Sequence, residues 1–346
     1  MKKVVILCSL VLFIVCGCGK FDADKALSEF KNDVESSKSY LLTGTMEIRS
    51  DEDTFTYSLE AGYKKDNMYK VTLINQTNNH EQIILKNKDG VYVVSPNLNK
   101  SFKFQSEWPD NSSQAYLLGS LLKDLEKMKT QEMEEKDGHY ILKATVKYPN
   151  NPDLSYEKIY FSKDMEPERV EVYSNDDILK IKVNFTKVNY KANLDEEYFS
   201  LDGLIDENCC GEENNNSDAE NNNEGPSSET NGLMEDIIYP LYIPANTYLN
   251  SKETIDTDNG ERVILTFSGE KSFVLVEEKA RAKETFEVIP VYGDPLIIND
   301  TIAALSANSL TWTSNNIEYY LAGADLTTAE LLTIAQSLSN TMPSGK

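Results

Sequence analysis

The chain has 346 residues, with 34 Lys and Arg against 57 Asp and Glu, a formal net charge of −23 at pH 7. That length gives room for about two domains of roughly 150 residues each, and 40% hydrophobic residues suffice for ordinary globular cores. The charge argues against binding nucleic acid through its phosphates, which requires a basic face that releases counterions, and against broad adsorption to anionic lipid headgroups.

The first residues are Met1, Lys2 and Lys3, followed by an apolar run over residues 4–15 and then Val15-Cys16-Gly17-Cys18, with a small residue just before a cysteine. The run is shorter than the ~20 residues a membrane span needs. This pattern resembles the lipobox of bacterial lipoproteins. The resemblance implies a signal peptide over residues 1–17, cleavage after Gly17, and a diacylglycerol plus a fatty acid such as palmitate on the sulfur of Cys18. The mature chain would then be anchored at the outer face of the cell membrane. Cys8 and Cys16 would leave with the signal, so that only Cys209-Cys210 remains. The stiff peptide between neighbouring cysteines disfavours an unstrained disulfide within the pair, so loose thiols or an intermolecular bridge are expected.

After the anchor, Asp22 or Asp24 can cap a helix carrying Leu27, Phe30 and Val34 at spacings of three and four. From Tyr40 the period becomes two. Tyr40, Leu42, Gly44, Met46 and Ile48 share one face, and Phe55, Tyr57, Leu59, Ala61 and Tyr63 share the next. Strands over residues 68–74, 82–85 and 90–94 continue the meander, separated by Asn-rich turns. In residues 91–125, Val91, Val93, Phe102 and Phe104 alternate, Trp108-Pro109 marks a crossover, and Asn111-Ser112-Ser113 offers caps to an apolar helix expected to start near Gln114. Tyr116, Leu117, Leu121, Leu125 and Met128 supply its stripe. Strands resume over residues 140–148, 156–161, 169–173 and 178–190. One antiparallel sheet wrapped around two helices accounts for this order.

The helix after a lipobox, the meander, the stretch EQIILKNKDGVYVVSPNLNKSFKFQSEWPDNSSQAYLLGSLLKDL at residues 81–125 and the second set of strands together resemble the LolA/LolB-like lipoprotein carrier superfamily. Within it the chain looks most like the germination lipoproteins of spore-forming Gram-positive bacteria, of the GerS type. The resemblance implies a mainly β (α+β) fold: an N-terminal incomplete antiparallel β-barrel over residues 18–205, wrapped around helices and able to hold apolar ligands on its inner face. A tethered protein would not shuttle between membranes.

Residues 206–235 are rich in Asn, Glu and Ser and contain no Lys or Arg. They cannot bury enough surface to offset the entropy of ordering, and are expected to form an acidic, disordered linker. Residues 236–342 then form a small α+β domain. Strands are expected over 262–267, 271–276, 285–289, 310–312 and 317–321, and a closing helix begins with a Thr327/Glu330 capping box and buries Leu331, Ile334, Ala335 and Leu338. This part resembles the DUF4367 type of C-terminal domain, and a carrier-like domain followed by a small one is similar in architecture to envelope-stress regulators of the RseB type.

No complete catalytic set is present. His80 and His139 lack neighbours at metal-ligand spacing and read as exposed turn residues, and no nucleophile elbow, zinc helix or phosphate loop occurs. The acidic pairs Asp176-Asp177, Glu134-Glu135 and Glu277-Glu278 fall in expected turns or charged runs. The chain is therefore expected not to be an enzyme and to use no cofactor beyond the lipid on Cys18. Its candidate cavity or partner contacts are Tyr40, Met46, Tyr57, Tyr63, Phe104, Trp108, Tyr116, Leu117 and Leu121, whose bland role is core packing. The expected function is that of a membrane-anchored, non-catalytic binding or regulatory protein for an envelope protein in sporulation or germination, with a cell-wall amidase as the partner implied by the resemblance. The alternative is a carrier or sensor of lipid or lipoprotein acyl chains, and a homodimer stays open.

Overall fold

The computed structural model describes residues 22–50, 53–128, 133–202, 204, 237–257, 260–283 and 285–338. The expectations for the signal peptide, Cys18, the 206–235 linker and Cys209-Cys210 lie outside the described residues.

Helix α1 (Ala23–Ser36) starts at Asp22, whose Oδ1 accepts the Lys25 N–H at 3.0 Å, and buries Ala26, Phe30 and Val34. Six strands follow: β1 (Ser39–Arg49), β2 (Thr54–Lys64), β3 (Met68–Asn75), β4 (Glu81–Asn87), β5 (Gly90–Ser95) and β6 (Lys100–Phe104). The period of two read from the sequence is the observed one, with Tyr40, Leu42 and Met46 facing inward beside Tyr57, Leu59 and Ala61. In β4 and β5 consecutive positions, 82–85 and 91–95, are buried on both faces, because Phe199 and Leu204 cover their other face.

Helix α2 (Leu118–Glu126) begins four residues later than its apolar stripe suggests, and Leu117 at its N-cap makes no side-chain cap. The expected caps have other partners. Ser113 accepts the Lys147 N–H through Oγ at 2.8 Å and donates its own N–H to the Lys147 carbonyl at 2.8 Å, while Asn111 Nδ2 donates to Asp294 at 2.9 Å. Once the chain before the helix is tied to other segments, its first turn cannot extend back to Gln114. Leu118, Leu121, Leu122 and Leu125 are buried, each worth roughly 1.5–3 kcal/mol of hydrophobic stabilisation.

Strands β7 (Met133–Lys136), β8 (His139–Thr145), β9 (Leu154–Phe161), β10 (Pro167–Ser174) and β11 (Leu179–Asn189) complete the first half. The second half has β12 (Thr247–Thr257), β13 (Gly260–Gly269), β14 (Phe273–Lys279), β15 (Glu287–Val291), β16 (Asp294–Ile298), β17 (Thr301–Leu305), β18 (Ser309–Ser314), β19 (Ile317–Ala322) and α3 (Thr328–Gln336). The Thr327/Glu330 capping box is present at α3.

The protein is mainly β, built on two open sheets. One has twelve strands in the order β15-β6-β5-β4-β3-β2-β1-β11-β10-β9-β8-β7, and the other has seven, β12-β13-β14-β19-β18-β17-β16. Inward side chains of the larger sheet form one core with the buried faces of α1 and α2. At the seam between its two meanders, β1 pairs with β11 through a register shift at Thr43/Gly44. A Cβ on Gly44 would lie 2.1 Å from the Asn184 carbonyl oxygen, so only glycine fits there.

The two halves are knit together. Strand β15 leaves the second half and pairs in parallel with β6, from Glu287 opposite Lys100 to Val291 opposite Phe104, whereas the other strand pairs of this sheet among the described residues are antiparallel. Strand β17 is buried at all five positions, because Ile302 and Ala304 join the larger core while Ala303 and Leu305 join the smaller core between the seven-stranded sheet and α3, to which Phe267, Leu331 and Ile334 also belong. Gln82, 5% exposed, accepts the Ile302 N–H at 2.6 Å. Lys100 is ion-paired with Glu318 across the same junction.

Candidate functional site

A cleft of about 530 Å³ opens where the second half meets the larger sheet. Strand ends form one wall: Met46 and Ile48 from β1, Phe55 from β2, and Ile181 from β11. Trp108, Ala115 and Tyr116 come from the crossover before α2, and the facing wall is Leu241, Pro295, Leu296 and Ile297 together with Thr333 and Gln336 of α3. Arg49, Asp53, Asn150, Asn151, Asp153 and Lys180 also line it. An apolar lining with convergent polar groups of both charges suits a chain segment carrying apolar side chains, whose backbone can find donors and acceptors.

The cleft exists because of specific junction bonds. Asp294 Oδ1 accepts from Ser106 Oγ at 2.5 Å and from Asn111 Nδ2 at 2.9 Å, and the Tyr57 hydroxyl donates to the Asn299 carbonyl at 2.7 Å. These contacts fix β16 beside the crossover. Burial pushes the Tyr57 and Tyr116 hydroxyls above the usual tyrosine range, which leaves both as neutral hydrogen-bonding groups. Tyr116 donates to Gln114 Oε1 at 2.6 Å.

Of the nine contacts expected from sequence, Met46, Trp108 and Tyr116 line the cleft. Tyr57 holds the junction beside it. Tyr40 stacks on Tyr63 with ring centroids 4.7 Å apart, Tyr63 meets Tyr69 at 5.1 Å, and Tyr69 meets Trp108 edge-on at 5.9 Å, so these rings form a packed ladder ending at the cleft. Phe104, Leu117 and Leu121 are buried within the main core.

Both histidines are half-buried rather than exposed. His139 Nε2 lies 2.8 Å from Glu168 Oε2. Burial pulls the His80 imidazole below its usual range, against the opposing pull of Asp300, and burial in turn raises the Asp300 carboxyl. Glu277 belongs to β14 rather than a turn or charged run, with its side chain buried. Strand alternation places it inward, a signal carried by its spacing of two from Phe273 and Leu275.

Two further acids were missed. Glu157 is fully buried and Asp124 is 2% exposed. Burial, and then the Asp124 charge, push the Glu157 carboxyl well above its ordinary value, while Lys127 opposes them. Lys127 Nζ donates to Asp124 Oδ1 at 2.7 Å. The period-two spacing of Glu157 with Ile159 and Phe161 pointed inward, but its charge suggested solvent. Among the described residues no cluster of three His, Cys, Asp or Glu could hold a metal ion, and no helix is long and apolar enough to cross a membrane.

The chain is similar to known proteins along nearly its whole length. The family described as sporulation protein YdcC-like matches residues 1–199. Sporulation protein YdcC of Bacillus subtilis (strain 168) is 32% identical over 330 residues, covering 95% of this chain and 94% of that protein. Among solved structures, the LolA superfamily protein NE2245 from Nitrosomonas europaea is similar to 53% of this chain over 99% of its own, at 12% identity and a TM-score of 0.32. The structure of the CwlD amidase from Clostridioides difficile in complex with the GerS lipoprotein matches 49% of this chain over 95% of the chain compared, at 17% identity and a TM-score of 0.29. By its family match and its relative of nearly equal extent, the chain belongs to the sporulation protein YdcC-like family.

Proposed function

We propose that this protein is an extracytoplasmic, non-catalytic binding protein of sporulation, lipid-anchored at Cys18, which seats an extended segment of an envelope protein in the cleft between its two halves. The observation that carries this reading is the cleft itself, lined by side chains from both halves and bordered by the junction bonds of Asp294 and Tyr57. Its mixture of apolar and polar groups favours a peptide over a purely hydrocarbon chain. The inner face of the larger sheet, where an acyl chain would lie, is occupied by Phe30, Leu118, Leu121 and Leu125, all fully buried. A cell-wall amidase is the first partner to try, because the sequence resembles germination lipoproteins.

Leu296 of β16 lines the cleft and is only partly buried, so Leu296→Glu perturbs the site without opening a core. Affinity capture with purified amidase is expected to succeed with the native chain and to fall at least tenfold with this variant. Native mass spectrometry of the chain from residue 19 supplies the contrast. Copurified lipid, together with amidase binding unchanged by Leu296→Glu, would move the assignment to an acyl-chain carrier.

A further inference from the structure

Strand β16 ends the seven-stranded sheet. Among the described residues its neighbour is β17 alone, in an unbroken register from Asp294 opposite Leu305 to Ile298 opposite Thr301. Four consecutive residues, Asp294 to Ile297, line the cleft, whereas a strand viewed on its face would contribute alternate ones. Neither face of β16 is open, because Leu296 and Ile298 pack on the smaller core and Ile297 on the larger. The cleft therefore meets the edge of the strand, with its main-chain groups.

Strand β17 decides which of those groups are free. In an antiparallel pair, residues that exchange main-chain hydrogen bonds alternate with residues that do not. The Ile302 N–H donates to Gln82 Oε1 at 2.6 Å, and the Ile302 carbonyl accepts from Gln82 Nε2 at 3.5 Å, so both point away from β16. Ile297, which lies opposite Ile302, thus belongs to a non-bonded pair and turns its own N–H and carbonyl to the open side. Two residues earlier Pro295 does the same, at a position where an edge strand accepts proline because the missing N–H would have faced outward. Among the described residues no segment beyond β17 hydrogen-bonds the main chain of residues 294–298.

The edge offers one donor, the Ile297 N–H, and two acceptors, the carbonyls of Pro295 and Ile297. A hydrocarbon chain in the cleft would desolvate all three and return no hydrogen bond. Another main chain in extended form matches them, donating two N–H groups and accepting one. Pro295 withholds the donor that pairing between two β16 edges would use, which disfavours a second copy of this chain as the occupant.

We infer that the cleft holds its occupant by strand addition: an extended segment of the partner protein pairs with the open edge of β16 through the main-chain groups of Pro295 and Ile297. The inference rests on the reading that the cleft seats such a segment, and names how it is held. Recognition then runs chiefly through the backbone, and the segment has no proline at the two positions that donate to β16.

The test uses the chain from residue 19, which keeps every described residue, and purified amidase. Ile297→Pro deletes the outward donor, spares the hydrogen bonds to β17 and repeats the edge proline that β16 already carries at position 295. Capture of the amidase is expected to fall at least tenfold with Ile297→Pro and to change less than twofold with Ile297→Val, both variants keeping the native urea-unfolding midpoint. By NMR, the Ile297 amide of the native chain is expected to exchange at least tenfold more slowly once the amidase is bound, a readout that needs no variant. Unchanged Ile297 exchange in the complex, or undiminished capture by folded Ile297→Pro, would overturn strand addition; loss of capture with Leu296→Glu in the same experiment would leave the cleft reading standing. No capture by the native chain would overturn both. An Ile297 amide already protected in a chain that dimerises without amidase would assign the edge to a second copy and overturn the inference.

Discussion

Glu277 makes the smaller core sensitive to pH. Its side chain points inward from β14, in register with Tyr319 on one side and Val263 on the other, and Ile238 supplies its one backbone hydrogen bond. Burial raises its carboxyl from 4.5 to about 7. The fold thus binds a proton that the unfolded chain has already released between those values, and stability falls as pH rises through that window. Each tenfold change in proton affinity is worth about 1.4 kcal/mol, so the rise to about 7 makes this group cost about 3 kcal/mol at pH 8 relative to pH 4. Glu277→Gln keeps an oxygen for the Ile238 N–H and removes the ionisation. The variant should match the native chain near pH 4.5 and gain up to about 3 kcal/mol by pH 8. Urea unfolding followed by Trp312, which stacks on Tyr319 at 4.9 Å, reports this in a Trp108→Phe background. A stability difference that stays constant from pH 4.5 to pH 8 would refute the reasoning.

Other expectations concern the junction, the larger core and the anchor. Gln82→Leu leaves the buried Ile302 N–H without its acceptor and should cost about 1–3 kcal/mol in urea unfolding, with increased hydrogen exchange in β17. Trp108→Ala removes a 2% exposed ring at the end of the tyrosine ladder and should cost roughly 3–5 kcal/mol. Glu157→Gln should raise stability at pH 8 more than at pH 4, because burial, and then the Asp124 charge, raise the native carboxyl well above its ordinary value, so that ionising it at high pH costs the fold. Cys18→Ala should release the protein from membranes, and a variant still pelleting after a high-salt wash would contradict the lipid anchor.

Much of the larger sheet was legible because its strands have one wet face. Tyr40, Leu42 and Met46 alternate with partly exposed neighbours, and the helical spacing of Phe30 and Val34 is equally plain. Where burial is two-sided or absent, alternation disappears. Strand β17 is buried throughout, between two cores, and β12 is a sheet edge with no fully buried position, so neither announces itself as a strand. The capping box at Thr327 was visible because it is local in sequence. The start of α2 was not, since Ser113 and Asn111 bond to residues far along the chain. The cleft was hidden for the same reason: Met46 and Leu296 share it only because β15 crosses to β6 and β17 packs on both cores. Sequence could supply Trp108 and Tyr116 as aromatic candidates, but not the wall they face.

The central claim is that this cleft seats an extended segment of an envelope protein. A photoreactive benzophenone amino acid placed at position 296 in sporulating cells tests it most directly, with the same group at Glu253 on the distant β12 edge as control. The account predicts a covalent adduct to one envelope protein, at residues confined to a single extended segment, and none from the control. Adducts only to lipid, or equal protein labelling from both positions, would contradict it.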